Sequence, residues 1–329
     1  MARSLSHASA TERVRSSCRR VAETARHVRI DSLALDAFAG RLADDPFALP
    51  TLDRNTHIDD DVEAGGERTV AFFMVLEAVN FGSGSFPALR HTSELSGYFT
   101  VAGAIARRFR ELGPFTAAEL AAIDLEACIH LFGQVDRPSA RPLMAGFTEA
   151  LIELGRHLAD RWGGSFTTLL DAADHSAEQL VELLLALPGF RDEAVHQGER
   201  VYFYKRAQLA SADLSLAFDN RGRGRFDDLD RLTIFADDLV PHVLRTEGVL
   251  IYSEDLARRV DAGELLVAGS EEEIEIRAGA ITAADRMVAG LRDRGVEVDA
   301  RRLDYRLWNL GLGPRYRAGR AHRTVSRFY

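Results

Sequence analysis

Cysteine is almost absent: the 329-residue chain carries two, Cys18 and Cys128. They stand far apart and fit no metal-ligand spacing. That excludes a disulfide scaffold and leaves two free thiols of a reducing compartment as the ordinary expectation. No apolar run reaches the roughly 18 residues needed to cross a bilayer. Met1 to Arg20 carry basic residues but no apolar stretch of the kind a secretory leader needs, so a cytoplasmic protein is expected. The ten histidines are scattered without ligand spacing. No GxGxxG follows a strand, and no P-loop, HExxH or GxSxG is present. These absences argue against a nucleotide-driven motor, a zinc hydrolase and an α/β-hydrolase. An excess of basic charge is missing too, because the formal net charge is −9. Proteins that grip a nucleic-acid polymer usually show a basic face, so a small ligand fits better.

Hydrophobic residues make up 46% of the chain, enough for a large core, and charged residues 28%. Residues 1–12 are small and polar and read as a frayed end, followed by one domain over 13–329. Helical signals dominate: Thr11 towards Val28, Leu33–Leu42, Tyr98–Leu112, a capping box at Thr116 to Glu119, Leu143–Trp162, a helix capped at Ser176, Glu254–Ala262, Ala278–Arg294 and Asp299–Leu310. Leu49 to Arg68 reads as loop. Thr69–Val79 is nearly all apolar and fits a strand or a buried helix, before Asn80 to Pro87 break it. Strands are expected only at Val201–Tyr204 and Val249–Tyr252. The fold class is therefore mainly α, one compact domain with at most a small β element.

Four segments set polar groups among apolar ones, which is costly unless the groups are paired or used. Lys205-Arg206 follow the aromatic run Val201 to Tyr204; their ordinary reading is a surface pair with snorkelling stems. Asp237-Asp238 sit between Leu232–Ala236 and Leu239–Pro241, where the ordinary reading is a helix cap. A carboxylate in an apolar pocket would also suit a developing positive charge. Glu272 to Arg277 alternate as a short strand or a helix start with paired charges, and a solvated face is the weightier reading. The C-terminal stretch joins Asp304 and Trp308, four apart on one helix face, to a tail rich in Arg315, Arg317, Arg320, Arg323 and Arg327. That tail reads as acid-pairing or as a phosphate site.

Taken together and in order, these segments resemble the queuosine salvage protein family. The matching blocks are Phe203-Tyr204-Lys205-Arg206-Ala207-Gln208, Leu232 to Pro241, Gly248 to Ser253, Glu273 to Arg277, Leu303 to Trp308, and His322-Arg323-Thr324 with the terminal Phe328-Tyr329. The match is good from about Phe190 onward. It is weaker upstream, where Val79-Asn80-Phe81 and His57 fit. Asp238 stands where the family is expected to have Tyr, and His242 where Gln is expected. The resemblance implies a fold similar to the helix-hairpin-helix DNA glycosylases, hydrolysis of the N-glycosidic bond of queuosine 5′-phosphate, and no metal or organic cofactor. It implies a small nucleotide as partner, with no polymer and no membrane. It also implies roles: Asp237 catalytic; Phe235, His57 and Asn80 around the base, with Asp238 and Asp304 reading its edge or the ammonium of its side chain; Lys205, His322 and Arg323 at the phosphate. Two other readings are a glycosylase for polymeric nucleic acid, which needs a continuous basic groove, and a protein that binds the nucleotide without cutting it.

Overall fold

The computed structural model describes residues 8–44, 47, 50–92 and 96–329. Among the described residues helices carry the fold, and the strands form three two-stranded ribbons. Val28–Ile30 pairs antiparallel with Leu250–Tyr252, Glu193–His196 forms a hairpin with Glu199–Tyr202, and Leu265–Leu266 runs parallel to Arg323–Thr324. The last ribbon ties the C-terminal block at Arg323–Thr324 to the segment that follows the helix Glu254–Asp261. Of the twelve leading residues, 1–7 lie outside the described ones; Ser9 caps a helix that already begins at Ala10. The first residue of the expected Leu49–Arg68 loop is likewise outside them.

The ambiguous run Thr69–Val79 is a helix, Glu67–Val79, and every residue from Thr69 on is buried. A helix enclosed on all sides has no polar face, so its sequence carries no period to read. It packs against the helices Lys205–Ala217, Gly97–Leu112 and Arg141–Trp162. A second layer is built on the 23-residue helix Glu271–Asp293, which packs on Ala10–Thr24 and Ser32–Ala43. The expected start at Ala278 is therefore seven residues late, and the solvated face expected for Glu272–Arg277 is overturned: Glu273, Glu275 and Arg277 are all buried. They are affordable there because they are partnered. Glu275 accepts the backbone N–H groups of Arg26, His27 and Val28, and Arg277 lies between Asp192 and Glu273.

Lys205 and Arg206 also leave the surface positions expected of them and are buried. The strand ahead of them stops at Tyr202, because Tyr204 turns left-handed at φ 52°. A non-glycine residue there costs about 1–2 kcal/mol, and Asp192 holds the turn through its backbone carbonyl. The turn starts the Lys205–Ala217 helix abruptly, with Lys205 inside the fold. Arg206 Nη1 and Nη2 donate to the backbone carbonyls of Glu77, Ala78, Gly189 and Arg327. It thereby ties the end of the Glu67–Val79 helix to the C-terminal tail. Gly84 is needed at the same junction, since a Cβ there would meet the Thr324 carbonyl oxygen at 2.1 Å.

Candidate active site

The helices Gly97–Leu112, Lys205–Ala217 and Ala300–Gly311, with the segments at 50–57, 80–86 and 235–239, line a cavity of about 540 Å³, within the size range of small-molecule sites. One wall is the irregular segment Leu232–Asp238, which leads into the helix Leu239–Thr246. An irregular backbone in a core must find partners for its N–H and C=O groups, and here three matched blocks supply them. Gln208 Oε1 accepts the Thr233 N–H at 2.9 Å, Asp304 Oδ1 accepts the Phe235 N–H at 2.8 Å, and Arg277 Nε donates to the Ala236 carbonyl at 3.0 Å. Arg277 is itself locked by Asp192 at 2.5 Å and lies over the rings of Phe203 and Tyr329. The segment is thus held on both sides just before Asp237.

Asp237 does two things at once. Its Oδ1 accepts the Leu239 N–H at 2.9 Å, so the helix-cap reading of this acid is partly right. Its Oδ2 lies 3.4 Å from Lys205 Nζ, with 8% of the lysine and 13% of the aspartate side chain exposed. Asp238 occupies the cap position but makes no side-chain cap bond.

Around this pair stand further carboxyl groups whose burial favours the neutral form. Burial, joined by the charge of Asp237, lifts Asp238 to about 7. Burial raises Asp304 to about 7 against the opposing Phe235 N–H. Across the cavity, burial brings Asp213 to about 7, and Glu77 is driven well above the ordinary carboxylate range by burial and by Asp213. Glu77 accepts the Asn80 Nδ2–H at 3.1 Å. His57 Nδ1 donates to the Asp53 carbonyl at 2.9 Å, which leaves Nε2 to accept from the Tyr98 hydroxyl at 2.7 Å. Rings from Phe86, Tyr98, Phe99, Phe235 and Trp308 line the remainder.

Residues 59–329 match the family described as "Queuosine salvage protein". The chain belongs to the queuosine salvage protein family. Relatives named "Queuosine 5'-phosphate N-glycosylase/hydrolase" include one from Sphaerobacter thermophilus, 38% identical over 94% of this chain and 96% of its own. One from Mus musculus is 31% identical over 90% and 91% of the respective chains. One from Dictyostelium discoideum is 31% identical over 80% and 79%.

In this queuosine salvage protein, seven of the nine residues singled out from the sequence line the cavity: Asp237, Phe235, Asp238, Asp304, His57, Asn80 and Lys205. His322 and Arg323 do not. Arg323 Nη2 is spent on the Gly84 carbonyl at 2.7 Å. His322 is buried behind the wall, and desolvation aided by Arg277 lowers it to about 3, so it is neutral. Part of the basic tail pairs with acids, Arg315 with Glu247 and Arg327 with Glu149 and Glu153. Arg301 and Arg317 reach the cavity mouth instead. The sequence reading missed Glu77 and Asp213. Glu77 is the lone acid in an otherwise apolar buried run, and Asp213 follows Lys205 by eight residues on the same helix face.

Among the described residues one group, His27, Glu271 and Glu275, has metal-ligand proximity. It lies away from the cavity wall, and Glu275 already accepts three backbone amides and the His196 ring. No helix among the described residues is long and apolar enough to cross a membrane.

Proposed function

We propose that this protein hydrolyses the N-glycosidic bond of queuosine 5′-phosphate, releasing queuine and ribose 5-phosphate for salvage of the base. The observation that carries the reading is Asp237, a carboxylate on the wall of an aromatic-lined cavity, oriented by Lys205 and by a rigidly held backbone. Breaking a C1′–N bond builds oxocarbenium character on the ribose. A preorganised anion in a water-poor pocket stabilises that charge far better than water does. Queuine is a 7-deazaguanine and has no ring N7 to protonate, so electrostatic help beneath the sugar weighs more. Asp237 stabilises the cation or traps it as a glycosyl ester. Water then delivers hydroxide to C1′ and the leaving base takes the proton.

Phe235 stacks on the base, while Asp238 and Asp304 accept from its N–H edge. His57 and Asn80 bound the opposite wall. Lys205 is committed to Asp237, so the 5′-phosphate is met at the mouth by Arg317, joined by Arg301. The Arg317 side chain has no acidic or hydrogen-bonding partner among the described residues, whereas Arg301 lies 3.5 Å from Asp299. His322 and Arg323 act from behind the wall. The helical architecture is of the helix-hairpin-helix glycosylase kind, and the enzyme works in the cytoplasm on the free nucleotide rather than on a polymer. The net charge of −9 supports that last point.

The test is chromatography of purified protein incubated with queuosine 5′-phosphate and with queuosine. Free queuine is expected from the wild type. Asp237→Asn should bind the nucleotide yet turn over about 10² to 10⁴ times more slowly. Near wild-type turnover by that variant removes Asp237 from the chemistry.

A further inference from the structure

The cavity carries more acid than its cations balance. Glu77, Asp213, Asp237, Asp238 and Asp304 all act on, or are acted on by, the single lysine Lys205, which is paired with Asp237. Arg206 also faces Glu77 but is spent on backbone carbonyls. Two acids have uses in hand: Asp304 holds the Phe235 N–H, and Asp238 adjoins Asp237 beside the base-stacking ring. Glu77 and Asp213 lie on the other side. Glu77 sits fully buried behind Asp213, fixed by Asn80 Nδ2, and Asp213 stands on the wall in hydrogen-bond contact with it. The groups that face this pair are Lys205, Arg206, Asn80 and Tyr98, with Asp53 and His57 beyond the tyrosine.

We propose that the Glu77–Asp213 carboxyl pair is the receptor for the ammonium on the base's aminomethyl side chain and selects amine-bearing 7-deazaguanine nucleotides over amine-free ones. This rests on the substrate class proposed above. A secondary ammonium brings one positive charge and two N–H donors; Asp213 takes the donor contact and Glu77 shares the charge from behind. Two buried carboxyls in contact cannot both ionise without a cation, so protons supply the balance. Burial lifts Asp213 to about 7 and drives Glu77 well above the ordinary carboxylate range, so the touching pair retains a proton near neutral pH. An ammonium displaces that proton, and ligand binding is therefore linked to proton release. The pair does no covalent chemistry; it positions and selects.

The experiment titrates wild type, Asp213→Asn and Glu77→Gln with queuine and with 7-deazaguanine at pH 7, in two buffers of different ionisation enthalpy. Cleavage of queuosine 5′-phosphate and 7-deazaguanosine 5′-phosphate is measured alongside. Wild type should prefer the amine-bearing ligand and release up to about one proton with it and none with the other. In both variants that preference should shrink about 10- to 100-fold, the size of a lost charged hydrogen bond, and proton release should vanish. A preference ratio equal to wild type overturns the proposal. So does equal weakening or joint loss of both bases, which marks the pair as merely structural. Wild type that cleaves neither nucleotide overturns the substrate reading instead, and the base titrations still decide the pair.

Discussion

Asp304→Asn should make the protein more stable and less active, with the gain in stability growing as pH rises. The carboxyl is buried and its folded-state pKa is raised to about 7 from 3.8. A raised carboxyl contributes stability that is fully present below the unfolded value and lost as pH climbs through the folded value. The window is therefore about pH 4 to 7. At about 1.4 kcal/mol per pH unit, ionising Asp304 costs the fold about 4 kcal/mol by pH 8. Relaxation and water entry around a buried charge return part of this, leaving about 2–4 kcal/mol. Asparagine avoids that cost and keeps the Oδ1 acceptor that the Phe235 N–H needs at 2.8 Å. Thermal melts of wild type and variant from pH 4 to pH 8.5 should nearly coincide at pH 4 and separate by on the order of 5 °C at pH 8. Queuine release should fall over the same range, because one acceptor for the base edge has become a donor. A gap that is constant with pH, or widest at low pH, refutes the reasoning, for then Asp304 is not held against ionisation.

Arg317→Gln should raise KM for queuosine 5′-phosphate about 10-fold or more while hardly changing cleavage of queuosine, since one charge-assisted contact to phosphate is removed; equal effects on both substrates would show that it does not read the phosphate. Arg206→Met should lower stability by about 3–5 kcal/mol, because it strands the buried carbonyls of Glu77, Ala78, Gly189 and Arg327. Denaturant melts measure that, and a loss under 1 kcal/mol would mean that the tail is held mainly by other contacts.

How far the sequence shows the site depends on which residues announce themselves. Asp237 sits in an apolar stretch ended by Pro241, so its anomaly is local, and local anomalies survive in a linear string. Lys205 and Arg206 are buried more deeply than Asp237, yet an amphipathic surface pair and a buried pair look alike until the left-handed turn at Tyr204 is known. The charges of Glu272–Arg277 look solvated in the sequence for a related reason. Their partners, Asp192 and the backbone at residues 26–28, lie about 80 and 250 residues away in sequence, and no window along the chain contains them.

Glu77 is the sharper lesson. It was visible as the one acid among Val70–Val79, and the wholly buried helix that carries it is what makes that acid improbable. A carboxyl placed there without a partner would cost several kcal/mol and neutralise itself. Its partner stands on a different helix, eight residues past the lysine that faces them both. Read by itself, each of these three residues admits a bland explanation. Read together, they require a charge balance that one lysine does not complete, and the cavity wall at Asp213 is where a ligand's positive charge would complete it.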